Sequence, residues 1–181
     1  MKSYLNVILV VFTLVFVGCS NNESLDSFSA EQKGTEDFKC ETGFAYCEGQ
    51  STCFDELGFN RWGWSIGPVS QPDKNECVIY AGAGGCNLDK GVPVGVYEIT
   101  YEDDSVLIHY HAYPGYLFTE THLYVGNAMY PVKPNGKPTV APGQYPYSQD
   151  HGAGTDFVEY ELDDEFTGEI YVIAHSVVCA E

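Results

Sequence analysis

Apolar and polar residues alternate along much of this chain after residue 37, and no stretch there keeps a helical period for long. Two segments rich in β-branched and aromatic residues, VGVYEITY (94–101) and VLIHYHAY (106–113), are joined by the polar residues EDDS. Residues of these types favour strands, and two such runs joined by a short polar turn are typical of a β-hairpin. The pattern predicts that the two segments form adjacent antiparallel strands.

The segment LFTETHLYVG (117–126) predicts a further strand with two different faces. Because successive side chains of a strand point to opposite sides of the sheet, Phe118, Glu120 and His122 share one predicted face. Leu123 lies on the opposite face, together with the threonines and the other aliphatic residues of the segment. The face that carries Glu120 and His122 is a candidate for ligand binding.

Three more segments have the composition of strands. FVEYELDD (157–164) and EIYVIAHSVVC (169–179) flank the turn residues EFTG and predict a second hairpin. CVIYAGAG (77–84) predicts a shorter strand that ends in glycine-rich sequence. The chain after residue 37 therefore consists mainly of short strands separated by turns.

The segment 131–146 predicts a long ordered loop, because it holds five of the nine prolines and the turn pair Asn-Gly. Proline has no amide hydrogen to donate to a sheet, so such a segment is not a central strand. Short strands separated by turn signals are typical of an antiparallel sandwich. We predict an all-β fold, an antiparallel β-sandwich with a long Pro/Gly loop, braced by disulfides.

The first 18 residues differ from the rest. Lys2 is followed by the apolar run YLNVILVVFTLVFV, which is shorter than the roughly 20 residues that span a bilayer. A basic start and an apolar run of this length are typical of a secretory signal. The run leads into Val17-Gly18-Cys19, which resembles the bacterial lipobox, in which the cysteine sulfur is acylated. An ordinary signal peptide, with Cys19 as an incidental thiol, is the alternative.

The predicted organisation has three parts. Residues 1–18 are a lipoprotein signal peptide, and residues 19–37 are the lipid anchor and a flexible tether of serine, acidic and amide residues. Residues 38–181 form a single β-sandwich domain. Because stable anchoring requires more than one acyl chain, the resemblance to lipoproteins, which carry several, implies firm attachment to a membrane through Cys19.

Six cysteines remain after Cys19, and an even number in an exported chain predicts three disulfides. They do not form a Cys-x-x-Cys pair, which argues against a thiolate zinc site. Six cysteines allow fifteen pairings. We favour Cys40 with Cys179, because this pair would join the two ends of the domain, and the remaining pairings stay open. The six residues are Cys40, Cys47, Cys53, Cys77, Cys86 and Cys179.

The chain is strongly acidic, with 26 Asp and Glu against 8 Lys and Arg and a formal net charge of −18. Nucleic acid binding depends on cationic groups that neutralise phosphates, so we predict no nucleic acid partner. The same charge disfavours contact with anionic lipid headgroups other than through the anchor. Cations, basic proteins and water remain as the natural surroundings of this surface.

Several phrases of the chain resemble a β module found in large secreted and surface proteins of bacteria. They occur in the module's order and are ETGFAYC, FNRWGWSIGP, YAGAG, TETHLYVG, APGQYPY and IYVIAHSVV. The resemblance implies an extracellular β module without an established activity. Cys47 stands where the module is expected to have another residue, which implies an additional disulfide here, to Cys77.

Two tryptophans are the leading candidates for a ligand platform. A strand through RWGWSI (61–66) would place Trp62 and Trp64 on one face, where aromatic planes can stack on sugar rings. The same alternation also suits a sandwich core, and core packing is the competing interpretation. Arg61 would point the other way, as a cation at a binding face or, more favoured, as the partner of a buried acid.

Histidine and carboxylate side chains also occur at the spacing of metal ligands. Glu120 and His122 share a predicted face, as do His109 and His111, and side chains two apart on a strand can converge on zinc or copper. A hydrogen-bonded structural histidine is the competing interpretation for each pair. His175 lies on a strongly apolar strand and is predicted to be a buried histidine of the core.

Calcium is the other metal that the composition favours, because carboxylates in turns form its oxygen shells. The candidate turns include Asp103 and Asp104, Asp163 and Asp164, and the fragment NLDKG (87–91). Glu102 and Glu165 adjoin the first two turns. The third turn lacks part of the ligand set of a calcium loop. A structural calcium ion is therefore a candidate, and no cofactor is required.

We predict no catalytic motif, whether a nucleophile elbow, a His-Glu-x-x-His zinc helix or a phosphate-binding loop. The favoured function is that of a membrane-anchored extracytoplasmic lipoprotein with a non-catalytic binding or adhesion module, for which carbohydrate is the favoured ligand. The alternatives are a structural or assembly protein that binds an envelope protein, and a carboxylate-based hydrolase. The predicted location is the bacterial cell envelope, at the outer membrane or cell surface.

Overall fold

A computed structural model describes residues 40–163 and 166–181. The predicted signal peptide, Cys19 and the predicted tether lie outside these residues. The described part is all-β, with ten strands and three short 3-10 turns at Gly84–Cys86, Leu88–Lys90 and Pro142–Gln144. The strands are β1 (Cys40–Tyr46), β2 (Ser51–Cys53), β3 (Trp64–Val69), β4 (Asp73–Ala81), β5 (Val92–Glu102), β6 (Ser105–Ala112), β7 (Tyr116–Gly126), β8 (Tyr147–Thr155), β9 (Phe157–Leu162) and β10 (Ile170–Ala180).

Every strand pairing is antiparallel, and all ten strands belong to one connected open sheet. One path of eight strands runs β8-β7-β10-β1-β4-β5-β6-β9, and β3 with β2 branches from the first half of β10. The antiparallel all-β prediction is therefore confirmed. No helical segment in the described part of the chain is long and apolar enough to cross a bilayer.

The first predicted hairpin is confirmed. Strands β5 and β6 pair along their length, from Gly95 opposite Ala112 to Glu102 opposite Ser105. The two residues between them, Asp103 and Asp104, have positive φ angles of 50° and 62°. A two-residue hairpin turn favours such angles because their twist matches that of the strands, and Asp tolerates them better than most residues. The EDDS segment thus sets this register.

The second predicted hairpin is wrong, because β9 and β10 do not pair. Strand β9 pairs with β6 at one end of the sheet, whereas β10 pairs with β7 on one side and with β1 and β3 on the other. Burial explains the difference. Side chains alternate between exposed and buried along β9, but they are buried on both faces along most of β10. A strand with two apolar faces requires a central position, and one with a polar face does not.

The predicted alternation along β7 is interrupted by a bulge. Phe118 is opposite Val178 and Glu120 is opposite Val177, so Thr119 is an extra residue in this strand. A bulge shifts the side-chain alternation by one position. Phe118 is consequently fully buried in the same cluster as Leu123, and it does not share the face of Glu120.

The connection between β7 and β8 confirms the predicted long loop. Within it, an isolated bridge joins Val132 to Pro138, and a 3-10 turn covers Pro142–Gln144. Tyr145 donates a hydrogen bond from its hydroxyl to the carbonyl of Val140 over 2.9 Å, and both residues are buried. The loop is therefore ordered by its own packing against the sheet.

Two apolar clusters lie on the sheet. The larger one combines residues of β4, β5, β6 and β9 with residues of β7 and β10, so the sheet curls around one core. The smaller one includes Phe44, Phe54, Trp64 and Ile173. Ala174 of β10 contributes to the larger cluster while Ile173 contributes to the smaller one, as expected for neighbouring residues of a strand.

Three disulfides join Cys40 to Cys179, Cys47 to Cys77 and Cys53 to Cys86. The first is the pairing that the sequence favoured, and the second is the pairing that the resemblance implied. The first connects residues that lie directly opposite each other in β1 and β10. Several disulfides indicate an extracytoplasmic protein, because reducing compartments do not maintain them.

Tyr97 and Tyr110 form the centre of the larger cluster, with ring centroids 5.4 Å apart in an edge-to-face arrangement. Both are fully buried, and burial raises the pKa of each hydroxyl well above its usual value. Within the described residues, neither hydroxyl has a hydrogen-bond partner. A buried hydroxyl without a partner destabilises the fold.

We expect Tyr97→Phe to raise the free energy of unfolding by about 1 kcal/mol, because it removes an unsatisfied hydroxyl and keeps the ring. Tyr101→Phe is the matched control. Tyr101 is equally buried, but its hydroxyl donates to the carbonyl of Gly168 over 3.0 Å, so this variant should lose about 1 kcal/mol. Chemical denaturation of the three proteins measures both changes, and a loss of stability in Tyr97→Phe contradicts the expectation.

Candidate functional site

A cleft of about 380 Å³ opens where β1 and β10 meet the segment that precedes β3 and the long loop. A shallower depression of about 280 Å³ adjoins it and shares Asn60, Arg61 and Val140. The cleft combines an aromatic wall, a cation and small polar groups. Its lining consists of Thr42, Phe44, Asn60, Arg61, Trp62, Val140, Pro142 and His175.

The two tryptophans do not share one strand face, so that prediction is wrong. Strand β3 begins only at Trp64, which is 2% exposed and belongs to the smaller core cluster. Trp62 precedes the strand, is half-buried and lines the cleft. The physical reason is Gly63, whose φ of +131° interrupts the extended backbone. Core packing is therefore correct for Trp64, and the cleft position keeps Trp62 as a candidate platform.

Gly63 is also required by a close approach. A Cβ atom at this position would overlap the ring of Phe54 and lie 3.0 Å from the ring of Phe44. The backbone amide of Phe54 donates to the carbonyl of Gly63 over 2.9 Å. The chain can therefore pass directly over the small core cluster, and this path brings Trp62 to the cleft.

The ring of Trp62 is held by other aromatic rings. Its centroid lies 5.2 Å from that of Phe44 and 5.9 Å from that of Trp64, both in edge-to-face arrangements. Phe44 in turn lies 4.9 Å from the ring of His175. Edge-to-face contacts stabilise aromatic side chains in fixed orientations. The aromatic wall of the cleft is thus pre-organised.

The cleft region carries positive charge on an otherwise acidic protein. Arg61 is exposed at the cleft, and Lys133 lines the adjoining depression. No salt bridge joins Arg61 to an acid within residues 40–163 and 166–181, so the favoured prediction of a buried acid partner is not met. Burial raises the pKa of Tyr145, and the nearby charge of Arg61 opposes that rise. Arg61 is therefore an exposed cation in the lining of the cleft.

His175 forms part of the cleft lining and pairs with His122 of the neighbouring strand. Their Nδ1 atoms are 3.2 Å apart, so one ring donates a hydrogen bond and the other accepts it. Burial, and then the adjacent His122, lowers the pKa of His175 to about 3, and burial also lowers the pKa of His122. Both rings are neutral at pH 7. The prediction of a buried histidine is confirmed for His175, which is 5% exposed.

Glu120 does not join this site. It is exposed on β7 opposite Asp150, and it is absent from the lining of the cleft. The nitrogen that meets His122 comes from His175 across the strand pair, whereas the predicted pairing was with Glu120 along the strand. Glu120 and His122 do share one face of β7, as predicted, and the Glu120 charge opposes the lowering of the His122 pKa. The contact between His122 and His175 follows from the strand order of the sheet.

His109 and His111 project from β6, and with Glu98 of β5 they place one nitrogen or oxygen atom each within 4.8 Å of one another. This cluster lies on strands that do not line the cleft. The sequence indicated the two histidines but not Glu98. Strands β5 and β6 pair with Glu98 directly opposite His109, and this pairing brings the Glu98 carboxylate to the two histidines.

Two of the predicted calcium turns contain side chains that accept hydrogen bonds within the protein. The Asp104 carboxylate accepts a hydrogen bond from the Gln71 amide over 2.6 Å, and the Asn87 side chain accepts one from the amide of Asp89 over 2.9 Å. Asp103 and Asp163 are exposed, and Asp164 and Glu165 lie outside the described residues. None of the described turn residues belongs to the group of three that could hold a metal.

Sequence reasoning overlooked one motif match. GWSIG (63–67) has the Gly-x-Ser-x-Gly pattern, but Ser65 lies within β3, is 1% exposed and donates to the carbonyl of Met129 over 2.6 Å. A nucleophile elbow requires an exposed serine on a strand-to-helix turn. Ser65 is therefore a structural residue that attaches the long loop to the sheet.

A second groove, of about 770 Å³, lies between β8 and β9. Strand β8 pairs only with β7, and β9 pairs only with β6, so two strand edges face this groove within the described sheet. The Gln149 side chain bridges it by donating to the carbonyl of Glu159 over 3.0 Å. The groove is acidic, and its lining consists of Pro146, Tyr147, Ser148, Gln149, Glu159, Tyr160, Glu161, Leu162 and Asp163.

The sequence indicated only part of the cleft. Trp62 and Arg61 were singled out by residue type, but Thr42, Phe44 and Val140 were not, because nothing local distinguishes them from other strand and loop residues. They meet Trp62 only through the pairing of β1 with β10 and the fold of the long loop. Comparison with known proteins gives no match: no family model, no curated protein and no solved structure matches this chain.

Proposed function

We propose that this chain is an extracytoplasmic binding protein whose ligand is a carbohydrate, bound without catalysis in the cleft at Trp62. The observation that carries the proposal is the position of Trp62, a half-buried tryptophan held by Phe44 and Trp64 at the wall of a cleft of about 380 Å³. A fixed indole that keeps part of its surface accessible suits the apolar face of a sugar ring.

Polar groups around the indole complement the sugar hydroxyls. The Asn60 amide and the Thr42 hydroxyl can donate and accept hydrogen bonds, and the Arg61 guanidinium presents several donors in a plane. Arg61 in the cleft and Lys133 in the adjoining depression place two cations side by side on a chain of net charge −18. This combination favours glycans with carboxylate or sulfate groups, which pair with guanidinium groups over two parallel hydrogen bonds.

The location of the protein follows from the anchor that we propose. The resemblance of Val17-Gly18-Cys19 to a lipobox supports acylation of Cys19, with residues 19–37 as a tether between the lipid and the folded domain. The three disulfides support export. In this arrangement, the cleft is displayed at the bacterial cell envelope, and the chain is a member of the surface β modules that its phrases resemble.

We also propose that the curled sheet is a flattened sandwich. The Tyr160 hydroxyl of β9 lies 2.8 Å from the Thr121 hydroxyl of β7, and the ring of Tyr110 in β6 lies 5.9 Å from that of Phe118 in β7. Strands from the two ends of the sheet therefore contact each other through side chains. Such contacts support two faces that pack over one core.

A glycan array probed with the purified chain tests the proposed function. We expect binding to a set of acidic glycans and a loss of at least tenfold in affinity in Trp62→Ala, because the stacking surface is removed. The matched control is Tyr113→Ala, which removes an exposed aromatic residue, 37% accessible, that does not line the cleft. Equal binding by Trp62→Ala and the unsubstituted chain, with the fold intact, contradicts the proposal.

The same array is run in calcium and in EDTA. Loss of binding in EDTA supports the structural calcium that the composition suggested, and equal binding in both buffers removes calcium from the site. An array without any binding turns the search to the alternatives. The hydrolase alternative lacks support at the cleft, since no carboxylate is among its described lining residues.

The alternative of an envelope protein that binds a protein partner has one specific observation in its favour. The groove between β8 and β9 exposes two strand edges, and an extended peptide can add a strand to such an edge. Glu159, Glu161 and Asp163 line the groove, so a basic segment is the complementary partner. The carbohydrate proposal ranks first because the aromatic wall is fixed, whereas Gln149 partly bridges the groove.

A further inference from the structure

A row of ionisable side chains crosses three adjacent strands. Glu98 of β5 is opposite His109 of β6, and His109 is opposite Glu159 of β9. His111 lies two residues along β6 on the same face and is opposite Phe157. All five side chains are at least partly accessible to solvent. The strand pairings thus bring two imidazoles and two carboxylates together on the outer face of the sheet.

The distances within this row assign a separate role to each nitrogen of His109. Its Nε2 atom lies 2.9 Å from a carboxylate oxygen of Glu159, and its Nδ1 atom lies 3.6 Å from a carboxylate oxygen of Glu98. His111 contributes a nitrogen to the same group, in which the three ligand atoms of Glu98, His109 and His111 lie within 4.8 Å of one another.

We propose that Glu98, His109 and His111 form a binding site for a divalent transition metal ion, with zinc as the first candidate. In this site, Glu98 supplies an oxygen, His109 supplies Nδ1, and His111 supplies a nitrogen. Imidazole ligands select zinc, copper or nickel over calcium and magnesium, which prefer shells of oxygen atoms. The site is thus distinct in chemistry from the calcium turns that the sequence suggested.

Glu159 is a positioning residue for this site. A zinc-bound histidine commonly donates its second ring N–H to a carboxylate, which fixes the tautomer and orientation of the ring. The 2.9 Å contact between His109 Nε2 and Glu159 places a carboxylate where such a partner would stand, and with zinc bound Nδ1 would face the metal beside Glu98. An ordinary histidine–acid contact requires one carboxylate. Here the other ring nitrogen of His109, Nδ1, has the Glu98 carboxylate and the His111 imidazole near it as well.

Packing also restricts the imidazoles. The ring of Phe157 lies 5.4 Å from that of His109 and 4.9 Å from that of His111, and the two imidazole centroids are 5.9 Å apart. Zinc–nitrogen and zinc–oxygen bonds of 2.0–2.2 Å place tetrahedral ligands about 3.3 Å apart. The three ligand atoms therefore need to approach by about 1 Å or less each, which partly exposed side chains allow through small rotations.

Three protein ligands leave one position of a tetrahedral zinc ion open for water or another small donor. This position faces solvent, because every ligand of the group is on the outer face of the sheet. The proposal does not depend on the carbohydrate cleft, which involves other strands and contains no member of this group.

Calorimetric titration of zinc chloride into the full chain tests the proposal. The chain carries Cys19→Ser, so that a free thiol does not compete, and is purified in detergent and treated with chelator. We expect one equivalent of zinc, and affinity at least about tenfold weaker in His109→Gln, His111→Gln and Glu159→Ala. The matched control is His151→Gln, which removes a histidine of β8 outside the group and should leave affinity unchanged.

A second measurement needs no substitution at the site. Diethylpyrocarbonate modifies accessible imidazoles, and mass spectrometry of peptides locates the modification. Zinc should protect His109 and His111 but not His151. Absence of zinc binding overturns the proposal, as does binding that survives both His109→Gln and His111→Gln. Equal modification of all three histidines with and without zinc also overturns it, whether or not the variants fold.

Discussion

The double variant Cys40→Ala/Cys179→Ala is expected to lose about 5 kcal/mol of its free energy of unfolding. The disulfide joins residues 139 positions apart and closes nearly the whole described domain into one loop. In the loop-entropy account, a cross-link stabilises by restricting the unfolded chain, and a loop of about 100 residues is already worth about 4.7 kcal/mol. Removing both cysteines avoids a free thiol that could exchange with the other disulfides.

The other two disulfides provide the comparison, because their loops overlap. Cys47–Cys77 and Cys53–Cys86 cross each other in sequence, so each of them closes a loop of only about 16 residues while the other remains intact. Either double alanine variant should therefore lose only about 3 kcal/mol. Guanidinium unfolding of the three variants measures the order. A smaller loss for Cys40/Cys179 than for either of the others contradicts the expectation.

Acid is expected to destabilise the protein well above the pH at which carboxylates titrate. The folded state lowers the pKa of His175 from its ordinary value near 6.5 to about 3. Between these two values, the unfolded chain binds a proton at this position and the folded chain does not, so stability falls as pH falls. His175 alone should remove about 2 kcal/mol between pH 7 and pH 5, and about 1.4 kcal/mol more between pH 5 and pH 4, above its folded pKa of about 3.

Denaturation at pH 7, 6 and 5 measures this loss in a range where carboxylates remain ionised in both states. His175→Gln is the control. Glutamine does not take up a proton in this range, so the variant should lose less stability between pH 7 and pH 5. The lowered pKa values of His122 and His151 leave part of the pH dependence in the variant. The same pH dependence in both proteins would contradict the assignment to His175.

The disulfides also support the proposed binding site. Cys53 and Cys86 bracket the segment that carries Trp62, and the Cys86 sulfur lies 3.4 Å from the carbonyl oxygen of Gly63. The backbone on which Trp62 depends is thus held from two sides, by this disulfide and by the hydrogen bond from the Phe54 amide. A pre-organised aromatic wall reduces the ordering that ligand binding requires.

Charge distribution gives the two proposed sites different ligands. The cleft combines Arg61 with the nearby Lys133 and favours anionic sugars, whereas the outer face of β5, β6 and β9 combines Glu98 and Glu159 with imidazoles and favours a metal cation. The net charge of −18 describes the whole chain, and the local charge of each of these two sites differs from it. Local recognition depends on which side chains the fold brings within a few ångströms of one another.

Several elements could be predicted because their causes are local. The hairpin of β5 and β6 follows from two alternating runs and a turn whose aspartates tolerate positive φ. The long loop follows from its prolines, and the presence of three disulfides follows from the six cysteines that remain after Cys19 in an exported chain. In each case, neighbouring residues or composition alone decide the outcome.

Other predictions were wrong because distant partners decide them. The runs at 157–164 and 169–179 are close in sequence, but the two apolar faces of β10 require a central position and separate it from β9. The bulge at Thr119 shifts the side-chain alternation of β7, and the register changes there against both neighbouring strands, β10 and β8. The apolar run of β10 does indicate two buried faces, but it does not show which strands pair with it. The bulge has no signal within its own segment.

The sequence by itself determined an all-β chain with antiparallel strands, one hairpin, a long proline loop and three disulfides, because side-chain period, turn chemistry and cysteine count act over a few residues or through composition. Only the tertiary structure decided that Trp62 meets Phe44 and Val140, that His122 meets His175, and that Glu98 meets His109 and His111. These contacts depend on strand order, which minimises the free energy of the whole domain and leaves no mark on any single segment.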